Sequence, residues 1–219
     1  MKILIICLSY FDDNIYTKFY KTQKNTWDSL EVDGVKTLFL TGNGDDNFIE
    51  NDVIRTDVKE SLFNCGYKTL KAFELIKELD FDFIFRTNSS SYVDKSLLKD
   101  YLLEKPKERF YSGVVGNHNG IKFSSGSGFI MTKDLVNLVL ENRQSWNHSY
   151  IDDVALGLLL KNFGVEPTPA PRYDILTLNE NTPLNFYHYR LKCWDRNLDC
   201  ERMIDLHKLK LKKTEYGKN

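Results

Sequence analysis

Asp80-Phe81-Asp82-Phe83-Ile84-Phe85-Arg86-Thr87-Asn88-Ser89-Ser90-Ser91-Tyr92-Val93 is the stretch on which the reading of this chain turns. Residues 81–85 alternate aromatic or branched side chains with one early carboxylate, a run that predicts a short buried strand. The cluster Arg86-Thr87-Asn88-Ser89-Ser90-Ser91 follows at its carboxyl end. Open α/β sheets bind their ligands just beyond the carboxyl ends of their strands. The cluster therefore has two readings: polar groups delivered to a site, or a serine-rich turn that caps the next helix.

Outward from it, strand and helix patterns alternate. Met1-Lys2-Ile3-Leu4-Ile5-Ile6-Cys7-Leu8 is a first, central strand, too short for a secretion signal and followed by no small-residue cleavage site. Ile15, Phe19, Trp27 and Leu30 suggest an amphipathic helix over residues 15–29, and residues 35–40 a second strand. Gly42-Asn43-Gly44 follows that strand without the third glycine of a dinucleotide loop and is read as a turn. Leu62, Phe63, Tyr67, Leu70, Phe73, Leu75, Ile76 and Leu79 recur on one broad face of a helix predicted over residues 59–79, with Lys68 and Lys71 off that face.

A helix over residues 95–103 must stop before Pro106. Residues 109–115 read as a strand, 116–120 as a turn, and 121–131 as an extended segment interrupted at Ser124-Ser125-Gly126-Ser127-Gly128. Glycines inside a strand imply a bulge or a close approach. The glycines adjoin Ser127, where a nucleophile elbow needs them two residues away, so a serine hydrolase is excluded. Helices are expected to residue 142, after Thr132, and over residues 150–163, the latter opening on Asp152-Asp153, where acids suit the helix dipole. Extended runs at 174–178 and 185–191 complete the pattern of one α/β domain with a mixed sheet.

The 219 residues suffice for a sizeable core without staples. Thirty basic and 31 acidic residues nearly cancel, which argues against nucleic acid as a partner. The run Lys208-Leu209-Lys210-Leu211-Lys212-Lys213 is read as a solvated chain end. Cys7, Cys65, Cys193 and Cys200 lack metal-ligand spacing and are expected to be reduced, although Cys193 and Cys200 are near enough in sequence to pair in an oxidising compartment. No stretch approaches the roughly 20 apolar residues of a transmembrane segment.

Taken together, these landmarks resemble the Fringe and β-1,3-galactosyltransferase family of GT-A glycosyltransferases. Lys24-Asn25-Thr26-Trp27 resembles its early basic-x-Thr-Trp element, Phe39-Leu40-Thr41-Gly42 its second strand, and Asp57 with Gly66-Tyr67-Lys68-Thr69-Leu70 its Asp and Leu-x-Lys-Thr stretch. Arg86-Thr87-Asn88-Ser89-Ser90-Ser91-Tyr92-Val93 aligns with Lys-Thr-Asp-Asp-Asp-Val-Phe-Val. Tyr111-Ser112-Gly113 and Gly126-Ser127-Gly128-Phe129-Ile130-Met131 resemble acceptor-side segments, and Asp152-Asp153-Val154-Ala155-Leu156-Gly157 resembles Glu-Asp-Val-x-x-Gly. The likeness runs from about residue 3 to 165. It implies a GT-A-type, Rossmann-like single domain with a mixed central β-sheet flanked by helices, over residues 1–205, with 206–219 as a charged carboxyl-terminal tail.

The resemblance further implies a hexosyltransferase that moves a sugar from a nucleotide sugar, expected to be a UDP-sugar, to a hydroxyl of a glycan or glycoconjugate with inversion. Asp153 is the expected general base and Asp152 supports it or binds the acceptor, with an exchange of the two roles left open. Ser9, Tyr10, Lys68, Arg86, Asn88, Ser89, Ser90, His188 and Arg190 are the donor candidates, and Gly126, Ser127 and Gly128 lie on the acceptor side. Relatives in this family hold a divalent metal on an acidic cluster, whose positions here are Asn88, Ser89 and Ser90. Hard cations need oxygen ligands, preferably charged ones. Manganese or magnesium would need ligands elsewhere, His188 among them; without a metal, Arg86, Lys68, His188 and Arg190 would have to meet the phosphate charge. The competing reading is a carbohydrate or nucleotide-sugar binder that has lost catalysis. Membrane-anchored relatives carry an amino-terminal span that is not found here, which favours a cytoplasmic protein.

Overall fold

The computed structural model describes residues 1–216. In chain order it holds β1 (Ile3–Leu8), α1 (Asn14–Asn25), β2 (Val35–Thr41), β3 (Phe48–Glu50), β4 (Val53–Arg55), α2 (Cys65–Ile76), β5 (Phe83–Asn88) and β6 (Ser91–Val93). There follow α3 (Lys95–Leu103), β7 (Tyr111–His118), β8 (Ile121–Thr132), α4 (Lys133–Glu141), α5 (Asp152–Lys161), β9 (Thr168–Pro169), β10 (Tyr173–Ile175), β11 (His188–Leu191) and α6 (Arg196–Tyr216).

The main sheet runs β3-β4-β2-β1-β5-β8-β7-β9, and a small second sheet runs β10-β11-β6. β1 is parallel to β2 and β5, whereas β8 is antiparallel to both β5 and β7. Central parallel strands are covered on both faces and so read as unbroken apolar runs, as Ile3 to Cys7 does. Successive side chains of a strand point to opposite faces. Ile3, Ile5, Phe83 and Phe85 therefore join a core with Phe19, Leu98, Leu102, Met203 and Leu206. Leu4, Ile6 and Ile84 join another with Phe73, Ile76, Leu135, Val139, Leu156 and Leu160. The mixed sheet between helical layers is the architecture that the alternating pattern predicts.

Several local expectations are corrected. α2 begins at Cys65 because Leu62 and Phe63, taken for its first apolar positions, are 71% and 83% exposed on a loop. Lys68, expected off the buried face, is itself buried. The helix predicted over 15–29 ends at Asn25, with a separate 3-10 turn at Trp27–Ser29. Two short strands, β3 and β4, follow the turn at Gly42, while the irregularity expected within residues 124–128 is present: β8 spans them, but its pairing with β7 passes from Ser124 opposite Val115 to Phe129 opposite Gly113 across a register shift. Residues 206–213 belong to α6, where burial of Leu206 and Lys210 replaces the expected solvated tail. Lys210 sits 2.8 Å from Asp94 Oδ2. Among the described residues all four cysteines are free thiols, and no helix is long and apolar enough to cross a membrane.

Candidate functional site

The parallel pairing of β1 with β5 sets Leu8 against Asn88, so the chain after both strands leaves the sheet side by side. Ser9 and Tyr10 follow one strand, Ser89 and Ser90 the other. The β5 to β6 turn is held from within: Asn88 Oδ1 accepts from Ser90 N at 3.1 Å and from Ser90 Oγ at 3.0 Å. Gln23 Nε2 donates to the carbonyls of Asn88 and Ser91. The serine-rich segment is thus a tight connection as well as a wall of what lies beyond it.

Beyond it lies a cleft of about 550 Å³. Of the sequence-derived donor candidates, Ser9, Tyr10, Lys68, Asn88, Ser89, Ser90 and Arg190 line it. Arg86 and His188 are not part of this wall. Tyr16, Glu60, Lys192 and Arg196 line it too, and sequence reading passed over all four. A readable signal existed for Lys192, which stands two residues after Arg190 and so on the same side of an extended chain. None existed for Glu60. Both of its oxygens lie against Lys68 Nζ, at 2.7 and 2.8 Å, and Oε1 also accepts from Gly42 N at 2.6 Å. Lys68 further donates to Ser9 O at 3.3 Å. This cation is therefore neutralised in place, which offsets the desolvation of a buried ammonium.

His188 is fully buried. Its Nε2 is 3.0 Å from Ser91 Oγ, and its ring meets Phe85 edge-on. Burial, reinforced by Arg172 and Arg190, lowers its pKa to about 3, which keeps the imidazole neutral. The histidine is thus enclosed by protein and does not line the cleft. Packing also explains Gly128, where a Cβ would fall 2.2 Å from His188 Cε1.

Arg86, Asp152 and Asp153 form a second cluster. Arg86, 2% exposed, donates through Nη2 to Asp152 Oδ2 and through Nη1 to Gly126 O, and its guanidinium lies over Phe129. Asp153 has no such cation pair: Oδ2 accepts from Gly126 N at 2.8 Å and Oδ1 from Val154 N at 2.9 Å. Burial raises its carboxyl above the ordinary range, the Gly126 hydrogen bond opposes that, and the Asp152 charge adds to it. A Cβ at Gly126 would come within 3.0 Å of Arg86 Nη1 and 3.2 Å of Asp153 Oδ2, so this backbone approach needs glycine. Ser127 Oγ is engaged by Arg172 Nη1 and Ser125 Oγ. The two acids that adjoin in sequence thus differ: Asp152 is committed to Arg86, and Asp153 is a desolvated carboxylate held by backbone donors.

The donor set at the cleft does not fit manganese or magnesium. Asn88 Oδ1 already accepts twice, and the hydroxyls of Ser89 and Ser90 carry no charge to hold a hard cation. No group of three or more His, Cys, Asp or Glu side chains among the described residues is arranged to hold a metal ion.

No family model matches the chain. It is similar to β-1,3-galactosyltransferase 1 of Mus musculus, 25% identical over 182 residues that cover 66% of this chain and 56% of that protein. It is also similar to the UDP-GlcNAc:betaGal beta-1,3-N-acetylglucosaminyltransferase 7 of Rattus norvegicus, 26% identical over 68% of this chain and 47% of that protein. The chain thus spans about half the length of the curated relatives it matches. Among solved structures, a glycosyltransferase involved in glycosylation of the major capsid of PBCV-1 superposes with a TM-score of 0.55 at 13% identity, over 94% of this chain and all of that one. The galactosyltransferase LgtC, in complex with donor and acceptor sugar analogues, gives 0.51 at 13% identity over 95% of each chain. The fold is that of the GT-A glycosyltransferases.

Proposed function

We propose that this protein transfers a sugar from a nucleotide sugar, a UDP-sugar by preference, to a hydroxyl of a glycan or glycoconjugate. The observation that carries the reading is the convergence of Ser9, Tyr10, Lys68, Asn88, Ser89, Ser90 and Arg190 on one cleft at the carboxyl ends of β1 and β5. Ligands of open α/β sheets bind at such strand ends. Names of the sequence relatives and of the solved structures, all glycosyltransferases, support the same class.

The chemistry is a single in-line displacement. The acceptor oxygen attacks the anomeric carbon, the bond from that carbon to the diphosphate oxygen breaks, and the nucleoside diphosphate leaves with the electron pair. The acceptor proton passes to Asp153. A base works best when its pKa lies near the working pH, and desolvation moves Asp153 in that direction. Asp152 cannot serve equally, because its negative charge is already paired with Arg86. One displacement inverts the anomeric centre.

Asp153→Asn is expected to lower transfer by about 10²- to 10⁴-fold, the usual contribution of a general base, while nucleotide-sugar binding persists. Undiminished turnover in that variant would remove Asp153 from the mechanism. The neutral Asn88-Ser89-Ser90 wall supports a second reading, a nucleotide-sugar or glycan binder without turnover. Saturable binding with no donor consumed by any acceptor, in wild type and Asp153→Asn alike, would favour it.

A further inference from the structure

The cleft lacks a fitting set of metal ligands but has an uneven charge. Lys68, Arg190, Lys192 and Arg196 line it, against the single carboxylate of Glu60. Glu60 and Lys68 cancel each other at 2.7 Å, which leaves the positive side to β11 and the chain that leads into α6. Its three cations are committed to different degrees. Lys192 is exposed and has no hydrogen-bond or ion-pair partner among the described residues. Arg190 Nε is buried without a hydrogen-bond partner, and Asp174, its nearest carboxylate, is 3.8 Å from Nη1. Arg196 binds Asp199 through Nη1 at 2.6 Å and stacks on Phe19, which fixes its guanidinium at the cleft wall. Beside them in the same lining, where Leu191 N donates to Ser90 O at 2.8 Å, Ser89, Ser90 and Asn88 offer neutral polar groups and no competing negative charge.

We propose that Arg190, Lys192 and Arg196 form a built-in counter-charge for the diphosphate of the donor, so that the nucleotide binds and leaves without a divalent cation. The inference rests on the nucleotide-sugar reading and deepens it. A leaving nucleoside diphosphate gathers negative charge, and fixed cations aimed at it stabilise that charge without reorganising. Guanidinium forks suit phosphate oxygens, while a lysine serves as a mobile point charge. Arg86 and His188 do not share this role: the first is spent on Asp152 and Gly126, and the second is neutral and enclosed.

The test is calorimetric titration of the full chain with UDP, GDP and dTDP, each in EDTA and again with manganese. Wild type is expected to bind one of them in EDTA with an affinity that manganese changes less than about threefold, since its site holds no strong ligands for the ion. Loss of a charge-assisted hydrogen bond should weaken that binding by about tenfold or more in Lys192→Ala and in Arg190→Gln. Lys192 is exposed, so its variant should fold, and circular dichroism melts of both variants verify this. Binding that requires manganese would overturn the proposal, as would wild-type affinity in both folded variants; in either case the donor reading would stand. No binding of any nucleotide under either condition would overturn both.

Discussion

Asp153 and His188 are buried titratable groups whose surroundings push them in opposite senses. Desolvation raises the carboxyl and lowers the imidazole, because in each case it is the charged form that loses water. Their linkage to folding differs accordingly. The folded pKa of His188, about 3, lies below its unfolded value near 6.5, so the unfolded chain takes up more protons in that window and this site favours folding more as pH rises from 3 to 6.5. Asp153, raised in the fold, contributes stability below its unfolded pKa, and that contribution is lost as pH rises through the folded one. Denaturant midpoints of wild type, His188→Gln and Asp153→Asn across pH 4 to 7 should therefore diverge in opposite directions. The His188→Gln curve should lose part of its acid destabilisation; a curve parallel to wild type would mean that His188 takes up its proton without unfolding. The rate of transfer should rise with pH through the Asp153 pKa, with no inflection from His188.

At the scale of elements, α6 shows how a segment that looks like a solvated tail becomes part of the core. Met203 and Leu206 are fully buried in the apolar layer that also holds Phe83 and Phe85, and Lys210 reaches Asp94 at 2.8 Å and the carbonyl of Leu184 at 2.8 Å. Lys208, Leu211, Lys212 and Lys213 remain exposed. Leu206→Ala should destabilise the protein by about 2–5 kcal/mol, the range for emptying a packed leucine site. Lys208→Ala should fall within about 0.5 kcal/mol of wild type. Urea unfolding of the two variants checks both, and equal midpoints would mean that α6 does not hold its place on the sheet. The helix matters to the site as well, because its first turn carries Arg196 to the cleft.

At the scale of the whole molecule, two apolar layers share one sheet, with Ile3, Ile5, Phe83 and Phe85 on one face and Leu4, Ile6 and Ile84 on the other. Neither layer can lose its packing without exposing strands that the other needs. Thermal unfolding followed by near- and far-ultraviolet circular dichroism should therefore show one coincident transition, and separated midpoints would mean that the layers melt independently. The strands β1 and β2 and the bounds of α3 were legible in the sequence, as was the position of the Asn88-Ser89-Ser90 cluster at a strand's carboxyl end. Those features rest on local apolar period and on turn chemistry, which neighbouring residues state by themselves. Partnership and burial do not. Arg86 meets Asp152 from 66 residues away, Lys68 is neutralised by Glu60 from outside its helix, and His188 is enclosed by Ser91 and Phe85. The sequence by itself thus determined where polar groups leave the sheet. Only the tertiary structure decided which of them are already spent on one another and which, Lys192 above all, stay uncommitted at the cleft, because charge pairing and desolvation are set by what the fold brings near.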